Sequence, residues 1–190
     1  MIDITERKPW DGSRNLLIIG PGGAGKSTLG LLLAPLLGRR LIDLDREFER
    51  QVGNISEFIR DEGYEQYKTR NSELAQVMAS ASSEPTMLVT SSGFLTPDNP
   101  AYAIKANRHI LAEWYSICLL PSRDLERAVA VIVDRQVVRP FTRDRNHEEK
   151  TIRVRYPTYR QEGDLIVFSE APASDIAQAV ALRLSRQPGC

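Results

Sequence analysis

Gly20-Pro-Gly-Gly-Ala-Gly25-Lys26-Ser27 constrains this chain more than any other stretch of it. It fits G-x-x-x-x-G-K-[ST], a pattern that reads as a phosphate loop when a strand precedes it and a helix follows. Both flanks are predicted here. Asn15 to Ile19 is a short apolar run ending at glycine, which reads as a buried strand. Behind the loop, Leu29, Leu32, Leu33, Leu36 and Leu37 recur at the spacing of a helix's apolar stripe. Gly38 suits the helix end, and Pro35 is set to kink the helix or stop it early. Gly22, Gly23, Ala24 and Gly25 can turn their N–H groups towards phosphate oxygens. The helix start adds its positive dipole end. In such a loop Lys26 reaches the β and γ phosphates, Ser27 ligates Mg²⁺ and Thr28 stands beside them. A chance match in a chain this size has a probability on the order of 1%. Nucleotide binding, with ATP and Mg²⁺ as cofactors, is the expectation.

The rest of the chain alternates short apolar runs with helical patterns. Strands are predicted at Leu41 to Leu44, Thr86 to Thr90, Trp114 to Leu120 and Leu165 to Phe168. Helical stretches run to about residue 83, over Leu125 to Val133, and over Ser174 to Leu184. Such alternation means right-handed βαβ units. The expectation is a three-layer α/β/α fold with a five-stranded parallel sheet. At 190 residues the chain fits one domain, 1–190. Lys plus Arg and Asp plus Glu are 25 each, with none of the basic excess of a nucleic-acid binder. No apolar run approaches the roughly 18 residues of a membrane span. The polar N-terminus has no signal-peptide core, so a cytoplasmic protein is expected. Cys118 and Cys190 are too few for a disulfide framework; Cys118 reads as a buried small hydrophobe.

Leu41-Ile42-Asp43-Leu44-Asp45 ends the second strand with two carboxylates. Residues at the carboxyl end of a parallel strand face the ligand crevice. One carboxylate can serve the Mg²⁺ shell, and the other can accept a hydrogen bond and then a proton from an acceptor hydroxyl. The segment from Asp134 to Arg160 holds eight Lys/Arg against four Asp/Glu. It reads either as a solvated connection or as a mobile basic lid over about 137–150. His109 and His147 are too isolated for a metal site. Tyr64 and Tyr67 follow Gly63 on a helical stretch, where packing and a ligand contact are both open.

These stretches together resemble the shikimate kinases, small members of the nucleoside-monophosphate-kinase-like P-loop group. The resemblance covers roughly Leu16 to Leu184. It rests on GPGGAGKSTLG at 20–30, LIDLDREFERQVGNISEFIRDEGYEQYK at 41–68, Arg139-Pro140-Phe141, and Arg155-Tyr-Pro-Thr-Tyr159. It implies that Asp43 lies in the Mg²⁺ shell, with Asp45 as base on the acceptor hydroxyl. Arg139 would swing over the ATP phosphates, and Arg155 would bind the acceptor's carboxylate with its planar fork. Pro172 falls where the family's adenine pocket lies.

Three positions depart from the family pattern. Lys68 stands where a second Arg would share the acceptor carboxylate with Arg155. Ser91-Ser92-Gly93 replaces three consecutive glycines at the acceptor wall. Ile132 takes the place of an adenine-stacking Arg, with Arg135 nearby. The leading reading is an ATP-dependent kinase converting shikimate to shikimate 3-phosphate, with Lys68, Ser92, Gly93 and Arg155 on the acceptor. A kinase of the same fold acting on another hydroxy acid or cyclitol, and a nucleotide-binding regulatory protein without transferase activity, stay open.

Overall fold

The alternation of strands and helices is realised in a computed structural model that describes residues 1–138 and 144–185. The strands are β1 (Ile2–Glu6), β2 (Leu16–Ile19), β3 (Arg40–Asp43), β4 (Thr86–Val89), β5 (Tyr115–Leu120) and β6 (Leu165–Ser169). The helices are α1 (Lys26–Leu36), α2 (Leu44–Gln51), α3 (Ile55–Glu62), α4 (Tyr64–Ser80), α5 (Ala101–Glu113), α6 (Leu125–Val137), α7 (Arg145–Gln161) and α8 (Ala173–Ser185). The sheet order is β1-β6-β5-β2-β4-β3. The pairings β3–β4, β4–β2, β2–β5 and β5–β6 are parallel, whereas β1 runs antiparallel along β6, Ile4 facing Val167. The sheet therefore has six strands, not five. The added edge strand carries a weak period-two signal: Ile2 and Ile4 pack on the core, while Asp3 and Thr5 hold Arg123.

β2 lies centrally, buried on both faces. Its Leu17 and Ile19 join a core shared with α4 to α7, and its Leu16 and Ile18 join one shared with α1 and α8. Continuous apolar strands of this kind mark a parallel sheet covered on both sides. The leucine stripe on α1 is only half used. Leu29 and Leu33 are buried, but Leu32 and Leu36 are exposed, and the face turned inward instead includes Gly30 and Ala34. The reason is a close approach: a Cβ on Gly30 would lie 2.6 Å from Val89 Cγ2, so small residues let α1 settle on the sheet. Pro35 occupies the last turn, and Gly38 follows at φ +61° as the helix terminates. α6 runs on to Val137, and Arg145 to Lys150 form the start of α7. The region expected as a lid over 137–150 is therefore helical at both ends among the described residues, and Arg139 lies outside them. Cys118 and Tyr115 in β5 are fully buried, and Trp114, expected to open the strand, instead caps α5 just before it and is also buried; Cys190 lies outside the described residues. No helix of the described residues is long and apolar enough to cross a membrane.

Candidate active site

The phosphate loop leaves the carboxyl end of β2 and turns into α1 through Gly25, which caps the helix at φ +98° and ψ +18°. That left-handed conformation is open to glycine at little cost. Lys26 is buried, and its Nζ donates to the Pro21 carbonyl at 3.0 Å across the loop. Ser27 and Thr28 are exposed on the first turn of α1.

Two cavities flank the loop. One, of about 350 Å³, is bordered by Gly23, Ala24, Gly25 and Thr28 with Leu119, Arg135, Ala171 and Ala173. Arg135 Nη1 is 3.4 Å from the Gly23 carbonyl oxygen. Ile132, buried, packs against Gly23 where the family's stacking Arg is expected. Pro172 is not on the wall; its neighbours Ala171 and Ala173 are, and its carbonyl accepts the Asp175 and Ile176 N–H groups at the start of α8.

The second cavity, of about 470 Å³, is bordered by Tyr64, Ser92, Asp98, Gln136, His147 and Arg155, among others. Its floor is the turn after β4. Three side chains fix that turn. Asn99 Nδ2 donates to the Gly93 carbonyl at 2.9 Å, Thr96 Oγ1 donates to the same oxygen at 2.8 Å, and Tyr159 Oη donates to the Ser92 carbonyl at 3.0 Å. Arg155 sits one helical turn before Tyr159 on α7. Its Nη1 donates to Ser92 Oγ at 3.1 Å and its Nη2 to Tyr64 Oη at 2.8 Å. The motif Arg-x-Pro-x-Tyr thus places a guanidinium on the cavity and a phenol beneath its floor. Ser91 is turned away, its Oγ donating to Asn71 Oδ1 at 2.8 Å.

The two carboxylates at the end of β3 have divided tasks. Asp43 caps α2, its Oδ1 accepting from the Asp45 and Arg46 N–H groups at 3.1 and 3.3 Å. Asp45 stands one position into the helix and accepts from Tyr67 Oη at 3.4 Å. Burial pushes the Asp45 carboxyl above its ordinary value, the charge of Lys26 opposes that rise, and Asp43 adds to it. A carboxylate that keeps proton affinity suits a base that must take a proton from a hydroxyl. Burial likewise raises Tyr67 well above its usual range, so it stays a neutral donor.

Like Pro172, Lys68 is an expected site residue that does not border its cavity. Its Nζ is 2.6 Å from the Asp98 carbonyl oxygen and 2.7 Å from Glu65 Oε1, and it does not border the cavity or meet Arg155. Sequence reasoning had no signal for Gln136. It reaches from α6 to the loop so closely that a Cβ on Gly22 would lie 2.6 Å from its Nε2. Tyr64, for which the sequence permits either packing or contact, borders the cavity.

A family model described as shikimate kinase matches residues 22–185. The chain is 33% identical to a shikimate kinase of Pseudomonas fluorescens over 181 residues, 92% of this chain and 98% of that one. It is 30% identical to the pentafunctional AROM polypeptide of Scheffersomyces stipitis over 94% of its length, which is 11% of that much longer protein. Among solved structures, the shikimate kinase of Acinetobacter baumannii in complex with shikimate superposes with a TM-score of 0.75 at 27% identity, covering 93% of this chain and 96% of that one.

Proposed function

Since the chain belongs to the shikimate kinase family, we propose that it transfers the γ-phosphoryl group of ATP to a hydroxyl of shikimate, giving shikimate 3-phosphate and ADP. The observation that carries this reading is the arrangement around the phosphate loop: Asp45, close enough to Lys26 to feel its charge, and a cavity presenting Arg155 beside Ser92. ATP spans the loop with its base towards Ala171 and Ala173 and its phosphates on the N–H groups of residues 22–25. Lys26 neutralises the β and γ oxygens. The acceptor's carboxylate pairs with Arg155, which sets one hydroxyl against Asp45. As that hydroxyl oxygen bonds to the γ phosphorus, the bond to the β–γ bridging oxygen breaks, ADP leaves, and the hydroxyl proton passes to Asp45.

Mg²⁺ fits the residues present. The Ser27 hydroxyl and the Asp43 carboxylate are hard oxygen donors, and Asp43 spends only Oδ1 on its helix cap. Mg²⁺ supplies charge neutralisation on the phosphates. Arg139, proposed from the sequence to cover those phosphates, lies outside the described residues.

The test is ADP release from Mg·ATP with shikimate, with hydroxy acids lacking its ring, with a cyclitol lacking the carboxylate, and with no acceptor. Turnover is expected with shikimate and near background without an acceptor. Turnover with the cyclitol and none with shikimate favours another acceptor; ATP binding with no turnover on any acceptor favours the regulatory reading.

A further inference from the structure

The positive charge that the sequence offers as partner to Arg155 is already spent. An ammonium has three N–H donors. Those of Lys68 face the Asp98 carbonyl at 2.6 Å, Glu65 Oε1 at 2.7 Å and Asp98 Oδ2 at 3.5 Å, and the side chain is only 4% exposed. Moving it to a ligand's carboxylate means giving up the Asp98 carbonyl contact of a side chain that is itself buried, while the Glu65 and Asp98 carboxylates, 73% and 62% exposed, turn to water.

Tyr64 stands where Lys68 does not. Its Oη borders the acceptor cavity, accepts from Arg155 Nη2 at 2.8 Å, and lies 3.3 Å from where a Cβ on Gly93 would be. The phenol oxygen is thus fixed beside the guanidinium and over the cavity floor. A hydroxyl that accepts from a guanidinium carries an O–H as well, so a carboxylate arriving at Arg155 meets a second donor at that point. The ring has two close neighbours: it stacks on Tyr67 at 5.8 Å and 26°, and the Lys68 ammonium lies 5.4 Å from its centroid. Tyr67 in turn donates to Asp45. Residues 64, 67 and 68 share one face of α4, and that face connects the carboxylate anchor to the base.

We infer that Tyr64, not Lys68, is the second anchor of the acceptor's carboxylate beside Arg155, and that Lys68 is a positioning residue held behind the Tyr64 ring. This rests on the acceptor reading above.

Steady-state kinetics of the wild type, Tyr64→Phe and Lys68→Met, with shikimate and its methyl ester, test it. Tyr64→Phe removes one oxygen and leaves the ring. It is expected to raise KM for shikimate about tenfold, the scale of one hydrogen bond to a charged group, with kcat and KM for ATP near wild type. The preference for shikimate over its ester should shrink in Tyr64→Phe, because the lost contact is to the carboxylate. A purely structural role lowers both substrates alike. Lys68→Met is expected to lower Tm and to raise KM for shikimate less than Tyr64→Phe does. A wild-type KM and wild-type ester preference in Tyr64→Phe overturn the inference even if Lys68→Met does not fold. So does a Lys68→Met protein that folds and loses more shikimate affinity than Tyr64→Phe. A wild type that binds ATP but does not turn over shikimate overturns the acceptor reading itself, a separate result.

Discussion

The two cavities on either side of the phosphate loop are built differently. The side proposed for the nucleotide sets small residues, Gly23, Ala24 and Gly25 of the loop with Ala171 and Ala173, among Leu119, Val138, Ile176 and Arg135. The side proposed for the acceptor is lined by polar side chains that hold one another, Arg155 on Ser92 and Tyr64, with further pairs behind them, Tyr67 on Asp45 and Lys68 on Glu65 and Asp98. A site made of backbone is specified by a short motif, because only glycines and a helix start can make it. A site made of crossing side chains can change its anchors while keeping its shape. The phosphate loop itself keeps the motif, and the departures that the resemblance implies lie in the side chains around it: Lys68, Ser91 and Ser92 towards the acceptor, Ile132 towards the base.

Substitutions on each side should separate in the kinetics. Lys26→Ala has the largest expected effect. It removes the charge that meets the transferred phosphoryl group, and kcat should fall by about 10²-fold or more. Far-UV circular dichroism should stay near wild type, since Lys26 contacts the Pro21 carbonyl rather than an apolar core. A fall confined to KM for ATP places Lys26 in binding alone.

Asp45→Asn keeps the shape and removes the base, with an expected kcat loss of roughly 10² and little change in KM for ATP. It should also change stability in a defined direction. Burial raises the native carboxyl above its unfolded value, so between the two the native state holds more protons than the unfolded one. Stability then falls as pH rises through that window. The Asn variant lacks this loss and should melt higher than wild type at neutral pH. A lower melting temperature there means the ionised Asp45 is a net stabiliser.

Arg155→Ala should act on the acceptor alone, raising KM for shikimate by about tenfold to a hundredfold with KM for ATP unchanged. Equal losses for both substrates would erase the division between the two halves. Tyr67→Phe has the smallest expected effect. Its hydrogen bond is long, 3.4 Å, so kcat should drop only severalfold. That bond favours the ionised Asp45, so removing it should move the acid limb of kcat/KM to higher pH.

What the sequence discloses divides along the same line. The phosphate loop, its flanking strand and helix, and the Asp43–Asp45 pair are local patterns, and each lies where the spacing predicts. β1 goes unread because five residues with two isoleucines give little alternation, and its partner β6 is more than 150 positions away. α5 is missed because its inward face is Ala103, Asn107 and Ile110, a face with one large apolar residue. Asn107 is there to donate to the Phe94 carbonyl and accept from Ser72, a tertiary demand that leaves no periodicity. Lys68 misleads for a related reason. Its residue type suggests a ligand contact, but Glu65 one turn away and Asp98 from a distant loop decide where its charge points.

The most direct test of the account is phosphorus-31 NMR of the wild-type protein with Mg·ATP and shikimate, followed to completion. The account predicts a phosphomonoester resonance that grows in step with ADP, one for one, with little inorganic phosphate. ADP accompanied only by inorganic phosphate, or bound ATP left intact with shikimate present, contradicts it.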